Sequence, residues 1–163
     1  MNIDKKIEQA ESNLERKLDW VGRHDNRVVF VVGVIIAMLG VLATASASII
    51  CWTFGLYFMF GLAGLLLFSS LIIIYRSQYP KTKAQNNSLI FFDTISQLKF
   101  AEFKQKVKDA TDEEYLDDLL SQVHTNAIIL KKKFSNLKWA LILLGIAILP
   151  WLLSIYFSRV YMK

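Results

Sequence analysis

Charge is missing from the middle of this 163-residue chain. Between Val28 and Tyr75, a run of 48 residues, there is no Asp, Glu, Lys, Arg or His. That absence excludes an ordinary soluble helix pair, which keeps a polar face toward water. A single cysteine, Cys51, rules out an intrachain disulfide and is given no chemistry. The two histidines, His24 and His124, stand isolated in sequence, and no metal-ligand spacing is present. The seven glycines form no phosphate-cradling loop, and no nucleophile–base–acid set is visible. Ser96-Gln-Leu-Lys99 matches an acyl-transfer pattern, but the companion motifs that give it meaning are absent. No catalytic residue and no metal site are therefore expected, and a chain of this length leaves little room for an enzyme domain. No cleavable signal is expected, since the first 27 residues are charged throughout, and no lipidation motif is visible.

What fills the charge-free run is Val, Ile, Leu and Phe. A bilayer core takes about 20 apolar residues per helical crossing. The run is too long for one crossing and suits two, with a turn near Ala43–Gly55, where TASAS and CWTFG thin out the large aliphatics. Trp52 and Tyr57 suit the interface at that turn. Trp139 to Phe157 is a third uncharged stretch, long enough to span and expected to kink at Pro150. The fold class expected is an all-α membrane protein. It has three transmembrane helices, an N-terminal hairpin plus a C-terminal helix, and a small cytoplasmic helical bundle. Small residues at Gly33, Ala37, Gly40, Thr44 and Ala47 share one face of the first span, and Gly61 and Gly64 lie in the second. Such residues let membrane helices approach closely, either within the hairpin or between subunits. Neither helix of the hairpin has a charged residue inside lipid, which argues against a proton relay, a voltage sensor or a coupled transporter.

The flanking segments are amphipathic. In residues 1–27, Ile3, Ile7, Ala10, Leu14, Leu18 and Val21 recur close to a 3.5-residue period, among six acidic and six basic residues. In residues 76–138, Lys81–Ser88 reads as a polar loop and Leu89–Ile95 as a short apolar run. Phe100, Phe103 and Val107 follow at helical spacing. Thr111-Asp-Glu-Glu114 is a capping box that starts a helix near Asp112. Its seam would be Leu116, Leu119, Val123, Ala127, Leu130, Phe134 and Leu137. That seam is expected to meet the one on residues 3–21. No breaker separates it from the third span, so one rod is expected to run into residues 139–158, ahead of a short tail at 159–163. Lys131-Lys132-Lys133 serves as a positive-inside anchor or as a contact for an anionic ligand or lipid head group.

Basic residues number six before the first span, eleven between the second and third, and two after the third. Positive-inside bias places the N-terminus and residues 76–138 in the cytoplasm and the C-terminus outside.

Four short motifs follow one another on this layout: Leu18-Asp-Trp20, Asp25-Asn-Arg27, Phe91-Phe92-Asp93, and Thr111-Asp-Glu-Glu-Tyr-Leu116 with Gln122. In their order they resemble the transmembrane Pycsar effector family of bacterial antiphage defence, across roughly residues 14–158. Arg27 stands where that family usually has Lys, and the Gly that precedes its Asp is missing before Asp93. The resemblance implies an effector of the bacterial inner membrane. It would be activated by a cyclic pyrimidine nucleotide, cUMP or cCMP, made by a partner cyclase. It would oligomerise and impair membrane integrity, a form of abortive infection. It implies no cofactor beyond that ligand and no nucleic-acid polymer. The ligand's phosphate would call for Arg23, Arg27, Lys81, Lys83 or Lys99, with Asp93 nearby in the motif. Phe91 or Phe92 would either stack on the base or fill the bundle core. The rival reading is a non-enzymatic scaffold that recruits a soluble partner through residues 76–138.

Overall fold

The computed structural model describes residues 2–79 and 88–161. Among these residues there are five helices and no strand. They are α1 (Ile3–Ala47), α2 (Phe54–Gln78), α3 (Phe92–Gln97), α4 (Phe100–Asp109) and α5 (Asp112–Val160). Three of them, α1, α2 and α5, are long and apolar enough to cross a membrane. At 1.5 Å per residue, α2 is about 38 Å long, one crossing of a hydrocarbon core about 30 Å thick. By the same measure α1 and α5 exceed about 65 Å, so each must leave the bilayer. The chain is a multi-pass membrane protein.

The expected lead-in helix and the first span are one helix, and α5 runs without interruption from the capping box through Pro150. Two compact units form: Met1–Arg23 with Pro80–Lys131, and His24–Tyr79 with Lys132–Lys163. Their borders fall one to two turns ahead of the charge-free stretches, because the polar residues just before each span pack with the membrane helices.

In the second unit, Val28, Val31, Ile35 and Leu42 of α1 form a buried cluster with Ala63, Leu67 and Ile74 of α2 and Leu137, Ala140 and Ala147 of α5. Fully buried alanines at 63, 140 and 147 bring the helix backbones together. Ser70 Oγ donates to the Ala140 carbonyl at 2.9 Å, and Trp151 Nε1 to the Met38 carbonyl at 3.0 Å. Such interhelical bonds average about 0.6 kcal/mol in membranes, so close packing carries most of the association. The large apolar side chains left outside this cluster, Phe30, Phe58, Leu65 and Leu149 among them, are exposed and face lipid. At the turn, Thr53 Oγ1 caps α2 by accepting the Leu56 N–H at 3.4 Å. Trp52 stacks on Tyr57 there, with ring centroids 4.7 Å apart.

The small-residue face of α1 lies elsewhere. Gly33, Ala37, Gly40, Thr44 and Ala47 are all exposed, as is Gly61, with Gly64 half-buried. Each residue of the α1 stripe sits two positions after one of the buried or half-buried residues 31, 35, 38, 42 and 45. Two positions are about 200° around a helix. The stripe therefore points away from the chain's own packing.

In the first unit, Ala10 of α1 and Leu119 of α5 are the buried apolar residues among those described. Tyr115 Oη donates to Glu11 at 3.0 Å, joining the two helices. Leu18, expected on the α1 seam, is instead 54% exposed, and Lys17 takes the half-buried position. Neither α3 nor α4 buries a residue, so Phe100 and Val107 stand exposed.

Candidate functional site

Two polar networks and two hollows stand out among the described residues.

The first network lies in the second unit. His24 and Asp25 lead α1 toward its span, and Lys133 approaches from α5 two turns before the third uncharged stretch. Lys133 Nζ donates to both Asp25 carboxylate oxygens, at 2.8 and 3.1 Å. The Lys133 side chain is only 8% exposed and Asp25 is 41% exposed. His24 is fully buried, its Nδ1 donating to Asp25 at 3.2 Å and its ring edge-on to Phe134 at 5.2 Å. Its Nε2 has no hydrogen-bond partner among the described residues. Burial pushes the Asp25 carboxyl up. Hydrogen bonds from Lys133 and His24, with their charges, outweigh that and hold it below its ordinary 3.8. Of the three consecutive lysines, Lys133 is thus held inside and Lys131 and Lys132 are exposed.

Beside this network runs an open crevice of about 840 Å³ between α1 and α5. Arg27 and Lys138 stand on its walls with Phe30, Leu137, Leu141 and Ile142. The two cations have no ion-pair or hydrogen-bond partner among the described residues.

The second network lies in the first unit. Asp118 of α5 accepts the Ser88 hydroxyl at 3.0 Å and the Leu89 N–H at 2.8 Å. Ser88 Oγ in turn accepts from Ile90 and Phe91 N–H groups and from Gln122 Nε2. One buried hydroxyl therefore organises the turn that presents Phe91, Phe92 and Asp93. Next to it, a hollow of about 390 Å³ is lined by Leu89, Lys106, Asp109, Glu114, Tyr115 and Asp118. Three carboxylates against one lysine suit hydrogen-bond donors there better than a phosphate. Glu114 closes the capping box: Thr111 N–H donates to it at 2.9 Å, and Glu114 N–H donates to Thr111 Oγ1 at 3.3 Å. Those bonds from Thr111, backbone first, draw the Glu114 carboxyl below its ordinary value. Burial, then the Glu11 contact, pushes the Tyr115 phenol up. Thr111→Ala is expected to cost the α5 start about 1 kcal/mol. A depressed carboxyl stabilises above its unfolded pKa, and that support is lost as pH falls through the folded value. Urea midpoints followed by circular dichroism should therefore differ between wild type and Glu114→Gln at pH 7 and converge under acid.

The family model of the Pycsar effector protein domain matches residues 9–158, across both units. The chain belongs to this family. No curated protein and no solved structure matches it. It is a transmembrane effector of Pycsar antiphage defence. In this Pycsar effector the motif residues have structural partners: Asp25 takes Lys133, Thr111 takes Glu114, Tyr115 takes Glu11 and Gln122 takes Ser88.

The residues expected at a nucleotide site are dispersed over these features. Arg23 pairs with Asp19 at 2.8 Å on an exposed surface and lies 5.8 Å over Trp20. Arg27 lines the crevice. Phe92 is exposed beside Phe91, and Asp93 accepts from Gln97 at 3.4 Å within α3. Lys99 is exposed at the start of α4. No hydrogen bond or ion pair joins any two of these, and Lys81 and Lys83 lie outside the described residues. Sequence reasoning left His24 as an isolated histidine, read Lys133 as an anchor or anionic contact and Ser88 as the end of a polar loop, and passed over Asp118. The available signal was spacing: His24 falls three residues after Val21 and four before Val28, and Lys133 falls between Leu130 and Leu137 in the same way.

Proposed function

We propose that this effector answers a cyclic pyrimidine nucleotide, cUMP or cCMP, by oligomerising in the bacterial inner membrane and breaching it. A partner cyclase would supply the nucleotide on infection, and loss of membrane integrity would end phage production at the host's expense. The observation that carries the reading is the extent of the family match, which takes in the charged helical unit and the membrane helices together. The charge count supports an orientation with the N-terminus and residues 76–138 in the cytoplasm and the C-terminus outside. The outward stripe Gly33–Ala47 supports contact between copies of the chain. Arg23, Phe92, Asp93 and Lys99 remain the ligand residues proposed, with Lys81 and Lys83; Arg27 stands apart from them, on the wall of the apolar crevice. The nucleotide acts by binding one arrangement more tightly than the other.

The test is dye release from liposomes that hold the full chain, with and without cUMP and cCMP. Driving a switch from 1:99 to 99:1 raises the active fraction about 100-fold, and release should rise on that scale. Release that is equal with and without either nucleotide would reject gating.

A second reading has its own observation. Phe92 is 75% and Phe100 79% exposed on helices that bury nothing. A scaffold would use these aromatics to hold a soluble partner, and would show no nucleotide-dependent leakage.

A further inference from the structure

We propose that the crevice between α1 and α5 is a binding site for an anionic phospholipid. Its phosphate would be held by Arg27 and Lys138, and an acyl chain would lie along Phe30, Leu141 and Ile142. Position selects the depth. Arg27 is the last charged residue before Val28, and Lys138 the last before Trp139. Both cations therefore stand where hydrocarbon gives way to head groups. Chemistry selects the occupant. The crevice has apolar walls, about 840 Å³ of space and two cations. No carboxylate lines it, and neither cation has a partner among the described residues.

The acids closest to Arg27 in sequence do not answer them. Asp25 is taken by Lys133 and Asp19 by Arg23. A second copy of the chain seated here would bring no unpaired carboxylate at that level. A free nucleotide would leave its base and ribose facing Phe30, Leu141 and Ile142, with only Asn26 to bond them. A phospholipid matches both halves: the phosphate diester meets the cations, and its chain continues into the bilayer. Net negative charge distinguishes phosphatidylglycerol from phosphatidylcholine, whose choline offsets its phosphate. The site does not depend on nucleotide gating.

Native mass spectrometry of the full chain in detergent, titrated with dioleoyl phosphatidylglycerol or dioleoyl phosphatidylcholine, reads this directly. One bound phosphatidylglycerol should survive, with a preference over phosphatidylcholine that R27Q/K138Q reduces about 30-fold, the product of two interfacial cations. K131Q/K132Q removes the same charge away from the crevice and should keep the preference. Ile142→Trp fills the groove with both cations intact and should also lose the lipid, which guards against a charge variant that fails to fold. The proposal is overturned by equal retention of the two lipids, or by unchanged preference in R27Q/K138Q or Ile142→Trp. Displacement by glycerol phosphate at equal concentration would also overturn it, leaving a head-group site alone. A lipid-free dimer would overturn it in favour of a second copy.

Discussion

Asp25→Ala should destabilise the protein by about 3 kcal/mol, near the lower end for breaking a buried ion pair. The reason is what the substitution leaves behind. Lys133 stays 8% exposed with its acid partner among the described residues gone, and an ammonium without compensation in that setting is costly. The partial exposure of Asp25 keeps the figure from going higher. Contrast Asp19 with Arg23, where both side chains are more than half exposed. That pair is worth at most about 1 kcal/mol, and Asp19→Ala should barely register. Lys133→Met added to Asp25→Ala should restore most of the loss, because an apolar chain of similar length needs no counter-charge. The readout is unfolding midpoints in mixed detergent micelles, arranged as a double-mutant cycle. A single mutant as stable as wild type, or a double mutant as weak as the single, would remove the pair from the stability argument.

The same pair sets an acid limit. Asp25 titrates below its ordinary value, so its folded pKa is depressed relative to the unfolded chain. Its contribution is complete above the unfolded pKa and fades as pH falls through the folded one. Wild type should therefore lose stability below about pH 4, and the Asp25→Ala/Lys133→Met protein should lose less.

These polar positions mark the limit of what residue type can convey. The three spans, the turn before α2, the Thr111–Glu114 box and the unbroken α5 were legible because each rests on a run or a local motif. The seam of α1 was legible in period but not in identity. Positions 3, 7, 10, 14, 17, 21, 24, 28, 31 and 35 alternate steps of four and three, and all are buried or half-buried. Lys17 and His24 occupy two of them. Choosing the more apolar Leu18 over Lys17 broke the alternation at the point where the period was the better guide. A lysine stem can lie along a partner helix while its ammonium reaches water. In α5, Gln122 and Lys133 are buried among apolar seam residues for a different reason, each being matched by a polar partner far away in sequence. Spacing can flag such a residue, but only the fold supplies Asp25 or Ser88. The small-residue face was legible as a face. Its direction was not, because nothing in the spacing says whether Ile35 or Ala37 meets the chain's own neighbours.

Leu119→Asp tests the first unit most severely. Leu119 is 2% exposed and, with Ala10, makes the apolar burial there. Truncating such a leucine costs about 2–5 kcal/mol before any charge is counted. Aspartate then adds a carboxylate with no cation given to it, one residue from Asp118, which is already committed to Ser88 and Leu89. The total approaches the 5–15 kcal/mol that holds a small domain together, so the unit should open rather than adjust. Leu18→Asp is the matched control. That side chain is 54% exposed, and the change should stay within about 0.5 kcal/mol. Limited trypsin digestion separates the two, since Lys104, Lys106 and Lys108 lie on α4 within this unit. Rapid cleavage there in Leu119→Asp, with wild-type resistance in Leu18→Asp, would place the seam through Lys17. Equal resistance would mean that Leu119 holds nothing closed. If nucleotide-dependent leakage disappears in Leu119→Asp and persists in Leu18→Asp, the charged helical unit is what converts ligand binding into a change in the membrane. Leakage in both would leave the membrane helices to act without it.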